Sequence, residues 1–110
     1  VRRNFRMLIT YSTKKIEKKL TDMRLLKKYY SNDYNKIRNR LSELQTANNL
    51  SEISECPPPR RHKLSGNLQD CWGIDFSKND RFIIRPMGKF DINDVSSITE
   101  IEIVDLDDYH

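Results

Sequence analysis

Long apolar runs, glycine and cysteine are all scarce in this sequence, and each scarcity closes off a class of protein. No stretch comes near the roughly 18 apolar residues a membrane-spanning helix needs, and no charged start leads into an apolar core as in a secretory signal. The chain is therefore read as cytoplasmic, with no membrane partner. Only three glycines are present, and they form neither a GxxxxGK phosphate loop nor a GxGxxG turn. With no nucleophile elbow either, nucleotide hydrolysis and acyl transfer are poor readings. The two cysteines, Cys56 and Cys71, lack CxxC spacing and have no histidine cluster nearby. Two reduced thiols are the plainer expectation than a disulfide framework or a zinc site. At 110 residues the chain has room for one domain, residues 1–110. Nearly every Leu, Ile and Phe of such a domain goes into one core, which predicts little space for a deep small-molecule cavity.

Charge, by contrast, is abundant and unevenly placed. Residues 1–63 hold 16 Lys+Arg against 6 Asp+Glu, a net of +10; residues 64–110 hold 4 against 10, a net of −6. A basic half of this strength attracts polyanions by releasing their condensed counterions, so nucleic acid is the first partner to consider. The plain alternative is a solvated helix face, since Lys14, Lys15, Lys18 and Lys19 fall within one helical stretch.

Hydropathy periods divide the chain into a helical half and a sheet half. Phe5, Met7, Ile9 and Tyr11 repeat every second residue and predict a strand over 5–11. Ser12 or Thr13 supplies an N-cap, and Ile16, Leu20 and Met23 make the buried stripe of a helix that fades near Lys28. A fresh cap within Tyr29–Asp33 starts a second helix, with Tyr34, Ile37, Leu41, Leu44 and Ala47 at spacings of three and four. These two helices should pair as an antiparallel hairpin. Leu50 and Ile53 add one short turn before Cys56, after which Pro57, Pro58 and Pro59 end helical structure. Beyond them lie an extended piece over 60–64, a Ser65–Asn67 turn, and a strand over 71–77 with Trp72, Ile74 and Phe76 on one face. A hairpin turn at 78–80, a strand over 81–85 with Phe82 and Ile84 inward, and a last strand over 98–105 complete the chain. The order predicts an α+β domain, an antiparallel sheet of four to five strands covered on one face by an N-terminal helical hairpin. Arg81 and Arg85 point to the uncovered face.

Side chains able to act on a phosphodiester gather at three places: Arg61-His62-Lys63, the Arg81/Arg85 pair, and Asp108-Tyr109-His110. Each has a plain reading on its own. His62 would be part of an exposed basic stretch, the arginines would pair with carboxylates such as Glu102 on the next strand, and the terminal tripeptide would be a solvated tail. Together they match what metal-free RNA cleavage requires. One group near neutral pKa takes the proton of the 2′-hydroxyl, another protonates the departing 5′-oxygen, and fixed cations balance the charge growing on phosphorus. Histidine suits either proton role, arginine holds phosphate oxygens in pairs, and tyrosine stacks on an unpaired base. Asp105, Asp107 and Asp108 lack a second acidic motif with which to grip two ions, so they read as charges guarding a strand edge, and no metal or other cofactor is expected.

The run Met7-Leu8-Ile9-Thr10-Tyr11-Ser12, then Lys15-Ile16-Glu17-Lys18, Leu41-Ser42-Glu43-Leu44 and Asn49-Leu50, resembles the N-terminal half of HigB toxins. These are also called plasmid maintenance killer proteins and belong to the RelE-like superfamily of toxin–antitoxin systems. The resemblance continues through Arg61-His62-Lys63-Leu64-Ser65-Gly66-Asn67, Trp72-Gly73-Ile74-Asp75, Arg81-Phe82-Ile83-Ile84 and Asp108-Tyr109-His110, and spans residues 7–110. Residues 1–6 lie upstream of where the family begins and read as an N-terminal extension. The sequence departs from the family at Leu68-Gln69-Asp70, where relatives carry a more basic stretch.

The resemblance implies a RelE-like microbial RNase fold and a ribosome-dependent mRNA endonuclease that inhibits translation. Its implied partners are messenger RNA on the ribosome, with ribosomal RNA contacts, and a HigA-like antitoxin with a helix-turn-helix domain. Operator DNA would be reached only through that antitoxin. His62, Arg81, Asp108, Tyr109 and His110 fall on the family's catalytic positions. The two histidines would move protons, Arg81 would stabilise the transition state, Tyr109 would orient the nucleotide and Asp108 would fix a histidine tautomer. Arg61, Lys63 and Arg85 would bind RNA. The competing expectation is a non-catalytic nucleic-acid or ribosome-binding module, or an inactive relative held in a repressor complex; gyrase poisoning ranks third.

Overall fold

The computed structural model describes residues 6–108. Thr13 is the first cap: its side-chain oxygen accepts from the Ile16 amide at 3.1 Å and opens helix α1, Lys14–Thr21. The single helix expected to reach Lys28 is broken at Asp22. There the backbone is extended (φ −90°, ψ 110°), and the carboxylate accepts from the Arg24 amide at 3.0 Å to cap a second helix, α2, Met23–Tyr29. Aspartate competes for backbone amides in this way, which makes it poor in helix interiors and good at their starts. The break also corrects the expected buried stripe. Leu20 and Leu26 would lie about 120° apart on a continuous helix. Instead both are buried, and Met23 is 41% exposed. A 3-10 turn at Ser31–Asp33 leads into α3, Tyr34–Thr46, whose Ile37, Leu41 and Leu44 are buried, with Ala47 just beyond them. Among the described residues three α-helices therefore stand where two were expected.

The sheet half forms β1, Leu8–Tyr11; β2, His62–Lys63; β3, Trp72–Asp75; β4, Asp80–Pro86; and β5, Glu100–Asp108, in the order β1-β5-β4-β3-β2. From β5 to β2 every neighbour is antiparallel. At the other edge β1 runs parallel to β5, Ile9 opposite Ile101 and Tyr11 opposite Ile103, so the sheet is mixed and not purely antiparallel. Strands joined by a tight turn must be antiparallel, but the whole helical half and three strands separate β1 from β5. Nothing local dictates their direction.

Ile9, Tyr11, Ile74, Phe82, Ile84, Ile101 and Ile103 pack in one cluster with Leu20, Leu26, Ile37 and Leu44 of the helices. Phe76 and Phe82 meet inside it with ring centroids 5.0 Å apart. The helices thus cover one face of the sheet. On the opposite face a smaller cluster of Leu64, Cys71 and Ile83 is joined by Leu68 and Val104 beneath the turn that follows β2. Cys71 is buried there and Cys56 is exposed, both as free thiols. No helix among the described residues is long and apolar enough to cross a membrane.

One irregularity decides which side chains reach the open face. Ile83 pairs with Asp105 but Ile84 pairs with Ile103, so β5 carries Val104 as an extra residue, a β-bulge. With strict alternation Ile101, Ile103, Asp105 and Asp107 would share one face. The bulge shifts the phase, so Ile103 stays in the core, Leu106 packs against it, and Asp107 turns outward beside Arg81. β5 also runs three residues past the expected end at Asp105, which makes Asp107 and Asp108 strand and not tail.

Candidate functional site

The uncovered face holds His62, Arg81 and Asp107 in a line across three strands. His62 sits on β2 directly opposite Gly73 of β3, and its ring lies against that glycine. A Cβ built on Gly73 would come within 2.7 Å of His62 Cε1, 2.9 Å of its Nε2 and 3.1 Å of Arg81 Cδ. Only a glycine leaves room for the ring and the arginine stem to converge there. His62 Nδ1 is 2.6 Å from the carbonyl oxygen of Arg60. A carbonyl can only accept, so Nδ1 carries the hydrogen and Nε2 is the atom with the free lone pair in neutral imidazole. Arg81 Nη1 donates to that Nε2 at 3.1 Å, while its Nε and Nη2 both donate to Asp107 Oδ2, at 3.2 and 3.1 Å. Arg81 and Asp107 are cross-strand partners in register.

Arg60 supports His62 from an unusual conformation, φ 43°, in the left-handed region that residues with a side chain seldom enter. Its guanidinium is tied to Asp75, Nε to Oδ2 at 2.6 Å, which holds the residue in place. Such strained backbone costs about 1–3 kcal/mol and persists only where its surroundings fix it. Here the result is a carbonyl aimed at His62.

A second ionic group lies further along the same face. Arg85 donates from Nε to Asp70 at 2.8 Å and from Nη1 to Glu102 at 3.1 Å. The Arg85 hydrogen bond holds the Asp70 carboxyl below its usual range, helped by the Cys71 thiol, and the same bond raises Arg85. Burial, then Asp70, pushes the Cys71 thiol up. Between the two arginines sits the apolar Ile83 cluster. The face is therefore polar at both ends and apolar in the middle.

The structure treats the expected site residues unequally. It brings His62 and Arg81 together, and it keeps Arg85 on the same face. Arg61 is corrected: it is 8% exposed, its Nε donating to the Ile53 carbonyl at 2.8 Å and its Nη2 to Glu55 at 3.4 Å, with the guanidinium over the Trp72 ring. Alternation along β2 sends Arg61 and Lys63 to the side away from His62. Lys63 is exposed, but its ammonium donates to the Gln69 carbonyl and steadies the turn after β2. Asp108 ends β5, in register with Asp80. The Asp108 side chain, Tyr109 and His110 lie outside the described residues.

Sequence reasoning missed Gly73, Arg60 and Asp107 as parts of the site. Gly73 stood within a recognised motif, but its role depends on which strand pairs with β3. Among the described residues no group of three or more His, Cys, Asp or Glu side chains is placed to hold a metal ion. Compared with known proteins, the sequence matches no family model and no curated protein.

Proposed function

We propose that this chain is the toxin of a toxin–antitoxin pair, built on a RelE-type RNase fold and cleaving messenger RNA on the translating ribosome. The observation that carries the reading is His62 on an open sheet face, its tautomer set by the Arg60 carbonyl and its Nε2 next to a guanidinium. In this reading the 2′-hydroxyl of the RNA gives its proton to His62 Nε2 while its oxygen bonds to the adjacent phosphorus. The bond from phosphorus to the 5′-oxygen breaks, and that oxygen takes a proton from the acid, a role the resemblance gives to His110. The product is a 2′,3′-cyclic phosphate. Arg81 exchanges its Asp107 and His62 contacts for phosphate oxygens and balances the charge of the phosphorane. Tyr109 stacks on the exposed base and Asp108 orients a histidine. Arg85 tracks the RNA backbone on the His62 face, and Arg61 and Lys63, which face away from His62, drop out of that list. The lysine-rich surface of α1 and α2 suits an acidic antitoxin segment, as in a HigA-like partner.

A second reading has its own support. Arg81 and Arg85 are each already neutralised by carboxylates, as expected of a non-catalytic module whose nucleic-acid contacts come from the lysine-rich helices and not from this face. One experiment separates the two: inducible expression in bacteria, with and without the antitoxin, while mapping 5′ ends of messenger RNA for wild type and His62→Ala. New ends inside translated frames that vanish with His62→Ala or the antitoxin support the nuclease. Growth arrest without new ends supports the binding module.

A further inference from the structure

A cleft of about 530 Å³ opens on the far side of Arg60 from His62, between α3, the proline turn and the end of β3. The sequence predicts little room for a deep cavity, and this cleft is open to the surface, walled on one side by Pro57 and Pro58. Its volume falls within the roughly 300–1,000 Å³ of small-molecule sites. Four cations line it: Lys36, Arg40, Arg60 and Lys78. Arg40 is buried, with Nε on the Asp75 carbonyl at 2.7 Å and Nη1 paired with Glu43. Arg60 is paired with the Asp75 carboxylate. Lys36 and Lys78 are exposed, and neither pairs with a carboxylate among the described residues. The two paired arginines are neutralised, so two positive charges remain at the mouth. The apolar wall is the exposed Pro57-Pro58 step.

We infer that this cleft binds a phosphate monoester with a flat organic body, the chemistry of a nucleoside monophosphate. A phosphate monoester carries about −1.5 to −2 charges near neutrality, which matches the two uncompensated lysines. The base or sugar lies against the prolines and the aliphatic stems of the lysines. A carboxylate ligand would supply one charge where two are available, and a neutral one would leave both lysines unused. The same chemistry occurs in a free nucleotide and in the terminal phosphate of an RNA. The inference does not depend on whether the chain cleaves RNA.

The test is a titration of the 15N-labelled chain with adenosine 5′-monophosphate, adenosine, inorganic phosphate, and a tetranucleotide RNA with and without a 5′-phosphate. Adenosine 5′-monophosphate is expected to bind saturably, with shifts confined to the amides around Lys36, Pro58 and Lys78, and to outbind both of its parts. Reversing both lysines, Lys36→Glu with Lys78→Glu, should weaken it about tenfold or more, because paired charge–phosphate contacts are lost. His62→Ala should leave it unchanged, so a failure here is distinct from a failure of the nuclease reading. Binding should also weaken below about pH 6, where the monoester gains a proton. Binding of the phosphorylated RNA alone supports the site as a holder of RNA ends. Equal binding of both RNAs, no saturation by any probe, or full binding by the reversed variant overturns the inference.

Discussion

Replacing Gly73 by alanine isolates the contact on which the His62 arrangement depends. Gly73 occupies ordinary strand backbone, so alanine brings no conformational penalty, and in a strand interior the exchange usually stabilises. Here the new methyl carbon would stand 2.7 Å from His62 Cε1 and 2.9 Å from Nε2. Non-bonded carbons settle at about 3.5–4.0 Å, so the ring must retreat by about 1 Å. The retreat breaks either the bond to the Arg60 carbonyl or the one to Arg81. The ring is part-exposed and can swing toward solvent, so the cost is mainly the lost hydrogen bond, about 0.5–1.5 kcal/mol. For a domain of this size each kcal/mol lowers the melting temperature by about 4–8 °C, so the variant should melt about 2 °C or more below wild type. A misplacement of about 1 Å in a reacting group costs about a hundredfold in rate, so RNA cleavage should fall by that order. Thermal melts, imidazole nitrogen NMR of His62 and cleavage rates on programmed ribosomes read the three consequences. A variant that melts at or above the wild-type temperature, with unchanged His62 nitrogen shifts, would refute the close-packing argument.

Asp107→Asn should cost less than about 1 kcal/mol, as for other part-exposed pairs, and should strengthen RNA binding by releasing Arg81, while Arg81→Ala should weaken it; filter binding at fixed salt compares them. Phe82→Ala should destabilise the core by about 3–5 kcal/mol in urea unfolding. Asp70→Asn should lower stability at neutral pH. Because the folded Asp70 sits below its usual 3.8, its contribution is present above that value and is lost as pH falls through the lower folded value. The gap between wild type and variant should therefore close in melts taken progressively below about pH 4. A thiol reagent should modify Cys56 quickly in the native chain and reach Cys71 only on unfolding, because Cys71 is fully buried and its thiol is raised by burial.

How much of this was legible in the sequence depends on the range of the forces involved. Period-two patterns placed Trp72, Ile74, Phe76, Phe82 and Ile84 in the core correctly, because alternation is a local property of strands. Arg81 and Arg85 reached the open face for the same reason. The Asp22 break escaped notice because the capping residue lies within an otherwise helical pattern, and its effect shows only once Leu20 and Leu26 are seen sharing a core. The parallel β1–β5 pairing joins residues at opposite ends of the chain, and no short-range signal specifies it. The bulge at Val104 is invisible for a similar reason: the extra residue exists only relative to β4. Without it Asp107 would have faced inward. Arg61 looked like a neighbour of His62 because it is one in sequence, but a strand puts adjacent side chains on opposite faces.

The placement of β5 also orders events in time. It follows every other described strand in the chain but sits between β1 and β4 in the sheet. Until it docks, β1 has no partner, and the β2–β3–β4 meander lacks the neighbour that carries Asp107. Closing so long a loop is slow relative to forming helices or hairpins. The helical segment and the meander can therefore form early as separate pieces, with His62, Gly73 and Arg81 already together on the meander. Asp107 arrives with the strand that joins the pieces, so the ion pair restraining Arg81 forms in the same step that completes the sheet.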